Sequence, residues 1–430
     1  MAPVIECKRT VLPNGLTVLF QPMKHASSMG VGVFLKQGSL AETNSEHGYF
    51  HFLEHMLFKD TETRTSKEIA ESIERVGGIL NGSTGREYTQ YYVVAIKNQA
   101  ELAFEILSDM LFRPLFRKED IQTEKGVIME EMRSYEDAPD DFVYDYYFRN
   151  IFGKSPYGRD IIGTKKSVTG VTEKSIRTFF EKHYFPKNMV ISVSGNFTWE
   201  KVLDLTNKYF SFENPKGKNP TELIIPAPRK SYSKHLERRK IEQFHIMLGV
   251  NGKKRDYRTV TVSGLISTIL GGGMASRLFQ NIREKEGLCY SIYSFPSYYK
   301  TTGLFSISSA TSKEKAARCV ELILKELETI TKHGFTKSEL ADAKSNQMGS
   351  IAIGYELPEN RMNNIGLQEI YYGTYFSLED RMKAIKSVTL DEINLAAKEM
   401  FGLDKVHLSC VGDMTETQFA KIPVQFGGSV

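Results

Sequence analysis

Apolar positions near the N-terminus fall into short runs that are typical of β-strands. They predict strands over residues 10–12 and 16–20, and the alternation from Gly30 to Lys36 predicts a third. Asn14-Gly15 stands between the first two strands, and this dipeptide favours the left-handed backbone of a two-residue hairpin turn. The chain therefore begins, by prediction, with an antiparallel hairpin and a further strand.

Later in the first half, apolar residues recur every three or four positions, which is the period of an amphipathic helix. These patterns predict helices over residues 46–59, 66–76, 99–111 and 117–136, with a strand over 88–96. Strands combined with long helices on one face of a sheet define an α+β domain.

An internal repeat indicates that the second half of the chain has the same order of elements as the first. Residues 116–121 match residues 335–340, an offset of 335 − 116 = 219, and Lys-Ser-Val-Thr recurs at 166–169 and 387–390. Because separate segments agree in order, the sequence predicts two homologous α+β domains. Four of the fourteen prolines lie in residues 213–230, a composition typical of a semi-rigid connector.

We therefore place an N-terminal domain at residues 1–214, a linker at 215–229 and a C-terminal domain at 230–430. A length of 430 residues with 41% hydrophobic and 25% charged side chains supports two such cores and excludes general disorder. Basic and acidic side chains are nearly balanced, with a net charge of only +4. Because nucleic-acid-binding proteins usually carry an excess of Lys and Arg, no nucleic-acid partner is expected.

The N-terminal residues lack the apolar core of a signal peptide, and no later stretch has the length and apolarity of a membrane span. We expect a cytoplasmic protein with no membrane partner. The four cysteines, at positions 7, 289, 319 and 410, form no C-x-x-C motif and are predicted to be small buried hydrophobes.

Metal-binding chemistry is concentrated in His51-Phe-Leu-Glu54-His55. The two histidines are four residues apart, so both imidazoles leave the same face of a helix, as two ligands of one metal must. Glu54 lies on that face too, and its carboxylate could accept a proton from an attacking water without binding the metal. The simpler alternative to a metal site is that both histidines lie on the surface of an amphipathic helix.

A catalytic zinc normally has three protein ligands, so a distant third ligand is required. Glu124 and Glu131 are seven residues apart on one predicted helix face, and from spacing alone either could serve. The repeat supports a metal role, because the positions 219 residues beyond them hold Ala343 and Ser350.

His51-x-x-Glu54-His55, followed 76 residues later by Glu131, resembles the inverted zinc motif of the M16 metallopeptidases. Repeat, linker and length are similar to the bacterial two-domain subfamily related to mitochondrial processing peptidase. The resemblance implies one Zn²⁺ per chain, with His51, His55 and Glu131 as ligands and Glu54 as general base. Glu124 would orient a ligand without binding zinc.

The resemblance extends to the second half. Arg283 and Tyr290, seven residues apart, are similar to the pair that the family's other domain presents to the substrate carbonyl. Their cationic and phenolic groups suit an oxyanion. Asn81, Gly82 and Ser83 match the family's edge strand, where an extended peptide pairs through its backbone. The structural alternative for residues 81–83 is a Gly-rich turn. For Arg283 and Tyr290 it is a surface arginine beside a buried tyrosine.

The resemblance implies a clamshell of two α/β-sandwich domains that closes over unfolded peptides, a zinc endopeptidase. A homodimer is expected by family analogy. Two other functions stay open: a non-catalytic partner subunit of a hetero-oligomer, and an amidohydrolase acting on a small metabolite. Because one chain carries both the zinc motif and the Arg/Tyr pair, a self-sufficient enzyme is favoured.

Overall fold

The computed structural model describes residues 7–212, 233–402 and 406–424. The chain forms two compact units, each built from three segments. The first unit comprises Met1–Arg133, Arg159–Leu223 and Ala352–Leu378, and the second comprises Ser134–Gly158, Ile224–Ile351 and Glu379–Val430. The linker predicted at 215–229 lies outside the described residues, and the domain boundaries stay a prediction.

Both units combine strands with helices. In the described residues the strands are β1 Lys8–Val11, β2 Thr17–Pro22, β3 Ser28–Leu35, β4 Ile79–Thr84, β5 Thr89–Ile96, β6 Met189–Gly195, β7 Ser233–Arg238, β8 Phe244–Gly252, β9 Cys289–Tyr298, β10 Gly303–Thr311 and β11 His407–Gly412. The α-helices are α1 Tyr49–Leu57, α2 Ser66–Glu74, α3 Ala100–Phe112, α4 Lys118–Asp137, α5 Pro139–Phe152, α6 Lys165–Thr169, α7 Glu173–His183, α8 Trp199–Tyr209, α9 Tyr257–Gly271, α10 Ala316–His333, α11 Lys337–Gly354, α12 Pro358–Tyr372, α13 Leu378–Ser387, α14 Leu390–Met400 and α15 Glu416–Ala420.

Five strands have the same order in the two sheets, and the first sheet has β1 as an additional edge strand. The strand order is β1-β2-β6-β3-β5-β4 in the first and β7-β11-β8-β10-β9 in the second. One parallel pair, β2 with β6 or β7 with β11, is followed in each sheet by antiparallel neighbours. Helices α4 and α11 begin at Lys118 and Lys337, an offset of 337 − 118 = 219. The α+β class with two sheet domains is confirmed.

The first hairpin is present, but its turn is longer than the Asn-Gly dipeptide predicts. Leu12 donates its amide to the carbonyl of Leu16, so three residues close the turn. Gly15 has a φ of +87°, the left-handed region that glycine adopts without strain. The side chain of Asn14 accepts the amide of Leu16 and so stabilises the longer turn.

The prediction that helices cover one face of the sheet was wrong for the first unit. Helices α3 and α8 pack with the main core, which contains Val31 and Val33 of β3. Phe34 points to the other face, where it packs with Met362 and Ile365 of α12. Helix α12 comes from the second half of the chain, so a local pattern could not reveal it.

Close packing of α12 on the sheet depends on small residues. A Cβ at Gly366 would lie 2.6 Å from the ring of Phe34, which is fully buried. Ser192 of β6 donates its hydroxyl to the carbonyl of Met362 at 2.6 Å. The helix backbone therefore lies directly against the strands.

No helix within the described ranges is long and apolar enough to cross a membrane. All four cysteines are free, and Cys319 and Cys410 are buried. Cys7 and Cys289 are only half-buried, so the prediction of four buried cysteines was wrong for these two.

Replacing Gly366 by alanine should destabilise the protein, because the added methyl group would overlap the ring of Phe34. We expect a loss of about 1–3 kcal/mol, as for other overpacked cores. Urea unfolding followed by circular dichroism measures it. Gly349→Ala is the matched control, since this exposed glycine lies within α11 and its Cβ would meet nothing. Alanine there should stabilise by up to about 1 kcal/mol; equal effects of the two substitutions would contradict the packing argument.

Candidate metal centre

Helix α1 carries the two histidines and is held firmly by the core. Six of its nine residues are buried. Phe50 packs edge-on against Phe179 and His183 of α7, and Tyr49 donates its hydroxyl to Ser175 at 3.2 Å. The bulky pair before His51 therefore fixes the back of the helix against α7.

The N-terminus of α1 is capped from a distance. Its N-cap residue is Gly48, which has a φ of +88° and no side chain that could accept the first amides of the helix. The carboxylate of Glu42 instead accepts the amides of Gly48 and Phe50 at 2.9 and 2.8 Å. Burial raises the pKa of Glu42 to about 8, although these amide donors lower it. Glu42 therefore fixes where α1 begins.

Helix α4 supplies two carboxylates to this face of α1. Glu124 and Glu131 are separated by two turns of α4, and both side chains point toward the histidines. His51 Nε2 lies 3.5 Å from Glu131 Oε1, and His55 Nε2 lies 3.3 Å from Glu131 Oε2. The imidazole centroids are 4.8 Å apart.

Ligand atoms of His51, His55 and Glu131 all lie within 4.8 Å of one another. In the described part of the chain, this is the only group of three or more such side chains that could hold a metal. Two imidazole nitrogens and one carboxylate oxygen are a donor set that suits catalytic zinc and leaves a fourth position open. The residues present therefore fit a zinc ion.

Glu124 contacts the other nitrogen of His55. His55 Nδ1 lies 2.8 Å from Glu124 Oε2, and because a carboxylate only accepts, the ring nitrogen donates. Lys59 Nζ lies 2.5 Å from Glu124 Oε1. Burial by itself would raise the pKa of Glu124, but contacts with His55 and Lys59 outweigh this effect. The pKa of Glu124 is therefore lowered, and the carboxylate stays charged. This contact leaves Nε2 of His55 directed at Glu131.

Opposite charges attract one another across the cluster. Burial by itself would lower the pKa of His55, but the carboxylates of Glu124 and Glu131 raise it to about 9. Burial would raise the pKa of Glu131, but the two imidazoles lower it to about 2. The two carboxylates therefore favour positive charge at this position, which a divalent cation would supply.

Glu54 lies on α1 beside the cluster and has a separate partner. Thr84, the last residue of β4, donates its hydroxyl to Glu54 Oε2 at 2.6 Å. One oxygen of Glu54 is thereby held by protein. This carboxylate is thus oriented by the end of an edge strand.

Asn81, Gly82 and Ser83 lie in β4, which forms the outer edge of the first sheet. Ser83 is half-buried, as are the two residues flanking it, and Asn81 accepts the amide of Gly82 through its own side chain at 2.8 Å. A Cβ at Gly82 would come within 3.1 Å of Phe58 and Tyr91. The predicted peptide-binding residues thus run along the strand that ends at Thr84.

Arg283 and Tyr290 belong to the second unit. Arg283 lies in a π-helical turn, Phe279–Glu284, with its guanidinium over the ring of Phe279. Tyr290 is in the edge strand β9 and is 77% exposed. Their roles toward a substrate stay a prediction.

The supporting roles of three residues at the cluster were not found from the sequence. Lys59 is four residues beyond His55, so helical spacing could have indicated it. Thr84 directly follows the predicted peptide-binding residues, but nothing local connects it with Glu54. Glu42 lies in a loop, and only the fold shows that it caps α1.

Comparisons with known proteins agree with this fold. The family described as Insulinase (Peptidase family M16) matches residues 17–165, and Peptidase M16 inactive domain matches residues 170–347. An uncharacterized zinc protease of Streptomyces coelicolor is 34% identical over 420 residues, 96% of this chain and 91% of that protein. The uncharacterized zinc protease YmxG of Bacillus subtilis is 33% identical, covering 92% and 96%.

Solved structures show the same fold. A protease from Helicobacter pylori has a TM-score of 0.89 at 22% identity, over 95% of this chain and 100% of that chain. A structure titled as a peptidase M16 inactive domain from Pseudomonas fluorescens has a TM-score of 0.88 at 21% identity, over 95% and 98%.

Together these findings define the class of the protein as a zinc protease. The chain belongs to peptidase family M16, the insulinase family. The family resemblance inferred from the motif is thereby confirmed.

Replacing Glu124 by glutamine should weaken zinc binding, because the neutral amide no longer holds His55 through a charged acceptor. We expect a loss of roughly 10- to 100-fold in affinity, the usual effect of removing a partner of a metal ligand. Competition with a zinc chelator measures it. Glu130→Gln is the control on the same helix, since Glu130 is exposed and pairs with Arg133. Equal zinc affinities of the two variants would contradict this role.

Proposed function

We propose that the protein is a zinc endopeptidase that cleaves unfolded peptides held in extended form. The observation that carries the proposal is the convergence of His51, His55 and Glu131 beside a separately held carboxylate, Glu54. The first three would hold one zinc ion per chain. A zinc ion there would polarise the scissile carbonyl and acidify a water molecule.

Glu54 acts in this proposal as the general base. Its Oε2 accepts the hydroxyl of Thr84, which leaves Oε1 to accept a proton from the attacking water. The proton then passes from Glu54 to the leaving amine. A base that is fixed in this way needs no reorientation between the two transfers.

Substrate would bind along β4. An edge strand presents backbone amides and carbonyls to an extended peptide, and backbone pairing tolerates many side chains. Because β4 ends at Thr84, a peptide paired with Asn81, Gly82 and Ser83 runs toward the residue that holds Glu54. This proximity favours a peptide substrate over a small metabolite.

Arg283 and Tyr290 are assigned from the family resemblance to the substrate carbonyl and its developing oxyanion. From the sequence we also predict that two domains close over the peptide, that the protein is a homodimer and that it is cytoplasmic. The experiment on Glu54 described next distinguishes this enzyme from a non-catalytic partner subunit.

Glu54→Gln should keep one zinc per chain and lose peptide cleavage, because the amide cannot accept the proton. We expect a loss of at least roughly 100-fold in kcat, the lower range for a general base. Metal analysis combined with hydrolysis of quenched fluorescent peptides measures both quantities. The control is Glu62→Gln, an exposed residue that should retain both. Zinc-loaded wild type that cleaves no peptide in a broad library would instead support the partner subunit, and protein that binds no zinc would refute the site.

Tyr290→Phe should lower kcat without changing zinc content, because only the phenolic hydroxyl that donates to the oxyanion is lost. The expected loss is roughly 100-fold, as for one oxyanion donor. Tyr293→Phe is the control from the same strand, since Tyr293 is also exposed. If both variants keep wild-type kcat, the role of Tyr290 is wrong while the zinc site stands.

A further inference from the structure

Three Asn-Gly dipeptides occur in the chain, at residues 14–15, 81–82 and 251–252, and their surroundings differ. Such a pair can cyclise, because glycine has no side chain to obstruct the approach of its own amide nitrogen to the asparagine side chain. Cyclisation requires that the asparagine side chain is accessible and that the amide nitrogen is not held by another group. The contacts of each pair therefore decide which asparagine reacts.

The amide of Gly82 lies on the outer side of the first sheet. Strand β4 is the last strand in the sheet order, and it pairs with β5. At the turn between them, Gly85 donates its amide to the carbonyl of Tyr88. Along an antiparallel pair, backbone groups alternate between facing the neighbouring strand and pointing away from it. Counting back three residues from Gly85, the amide of Gly82 points away from β5.

This outward amide is in contact with the side chain that precedes it. Gly82 donates its amide to Asn81 Oδ1 at 2.8 Å, and Asn81 is exposed. Because Oδ1 is bonded to Cγ, the contact places the nitrogen of Gly82 beside the carbon that it would attack. Moving into the attacking position breaks this contact but no hydrogen bond between β4 and β5.

The other two pairs are held more firmly. Asn14 Nδ2 donates to two main-chain carbonyls, at 3.0 and 3.2 Å, and its Oδ1 accepts the amide of Leu16. The amide of Gly15 donates to the carbonyl of Leu12 at 2.8 Å. Asn251 lies in β8, an inner strand of the second sheet. Asn81 is therefore the asparagine whose attack is least restrained by the fold.

We propose that Asn81 is a deamidation site, where the side chain is converted slowly and irreversibly to aspartate or isoaspartate. The deprotonated nitrogen of Gly82 attacks Cγ of Asn81, the bond from Cγ to Nδ2 breaks, and ammonia leaves with a proton from solvent. One water molecule then opens the resulting succinimide. Opening at Cγ gives aspartate, and opening at the main-chain carbonyl carbon gives isoaspartate.

Both products would change the strand on which substrate is proposed to bind. Aspartate adds a negative charge to β4. Isoaspartate sends the main chain through Cγ and so lengthens the strand by one methylene group, which would shift Thr84 relative to Glu54. Either change would lower peptide cleavage. This consequence rests on the proposed function, whereas deamidation itself does not.

The test incubates full-length, zinc-loaded protein at mildly alkaline pH and follows each asparagine by peptide mass spectrometry. Deamidation replaces an amino group by a hydroxyl group in mass, and an isoaspartyl methyltransferase with labelled methyl donor identifies isoaspartate. Urea-unfolded protein gives the rate of each pair without the fold. We expect the native-to-unfolded rate ratio to be at least about tenfold higher for Asn81 than for Asn14, whose release breaks several more hydrogen bonds.

Asn81→Gln is the chemical control, because glutamine would have to close a larger ring and should stay unmodified. During the incubation, cleavage by the wild type should fall in proportion to the modified fraction, whereas Asn81→Gln should keep its own initial rate. An intact Asn81, or equal rate ratios for Asn81 and Asn14, would overturn the site. Deamidation that accumulates at Asn81 while cleavage is unchanged would overturn only the effect on peptide binding.

Discussion

The site depends on one contact, that of the carboxylates of α4 with the imidazoles of α1. Glu131 faces both Nε2 atoms, and Glu124, held by Lys59, orients His55 from behind. Buried carboxylates and imidazoles are costly unless they neutralise each other. Any displacement of α4 along α1 would therefore break the ligand set and leave charges unpaired, so the two helices must be fixed before chemistry is possible.

The rest of the first unit holds these helices in place. Helix α1 is capped by Glu42 and packed against α7, and β4 links the sheet edge to Glu54 through Thr84. On the opposite face, α12 lies close to β3 because Gly366 leaves room for Phe34. A sheet buried on both faces is a rigid platform, which catalytic geometry requires.

The second unit repeats the topology with a different set of side chains. The positions 219 residues beyond Glu54, His55, Glu124 and Glu131 hold Gly273, Met274, Ala343 and Ser350, none of which is a usual zinc ligand. The strand β9, which occupies the edge position of β4, carries instead a bulge at Tyr290. One backbone architecture thus carries two different sets of side chains, and function depends on those side chains and not on the fold alone.

The sequence by itself determined the features that depend on local helix and strand geometry. The four-residue spacing of His51 and His55, the seven-residue spacing of the glutamates and the α+β class follow from periods of about 3.6 and 2 residues. Spacing left Glu124 and Glu131 equivalent, and only the family resemblance singled out Glu131, which in the structure faces both imidazoles. Tertiary structure alone decided that Thr84 holds Glu54 and that α12 covers the second face of the sheet. These contacts join residues far apart in the chain, and their geometry depends on how whole elements pack, which no local pattern encodes.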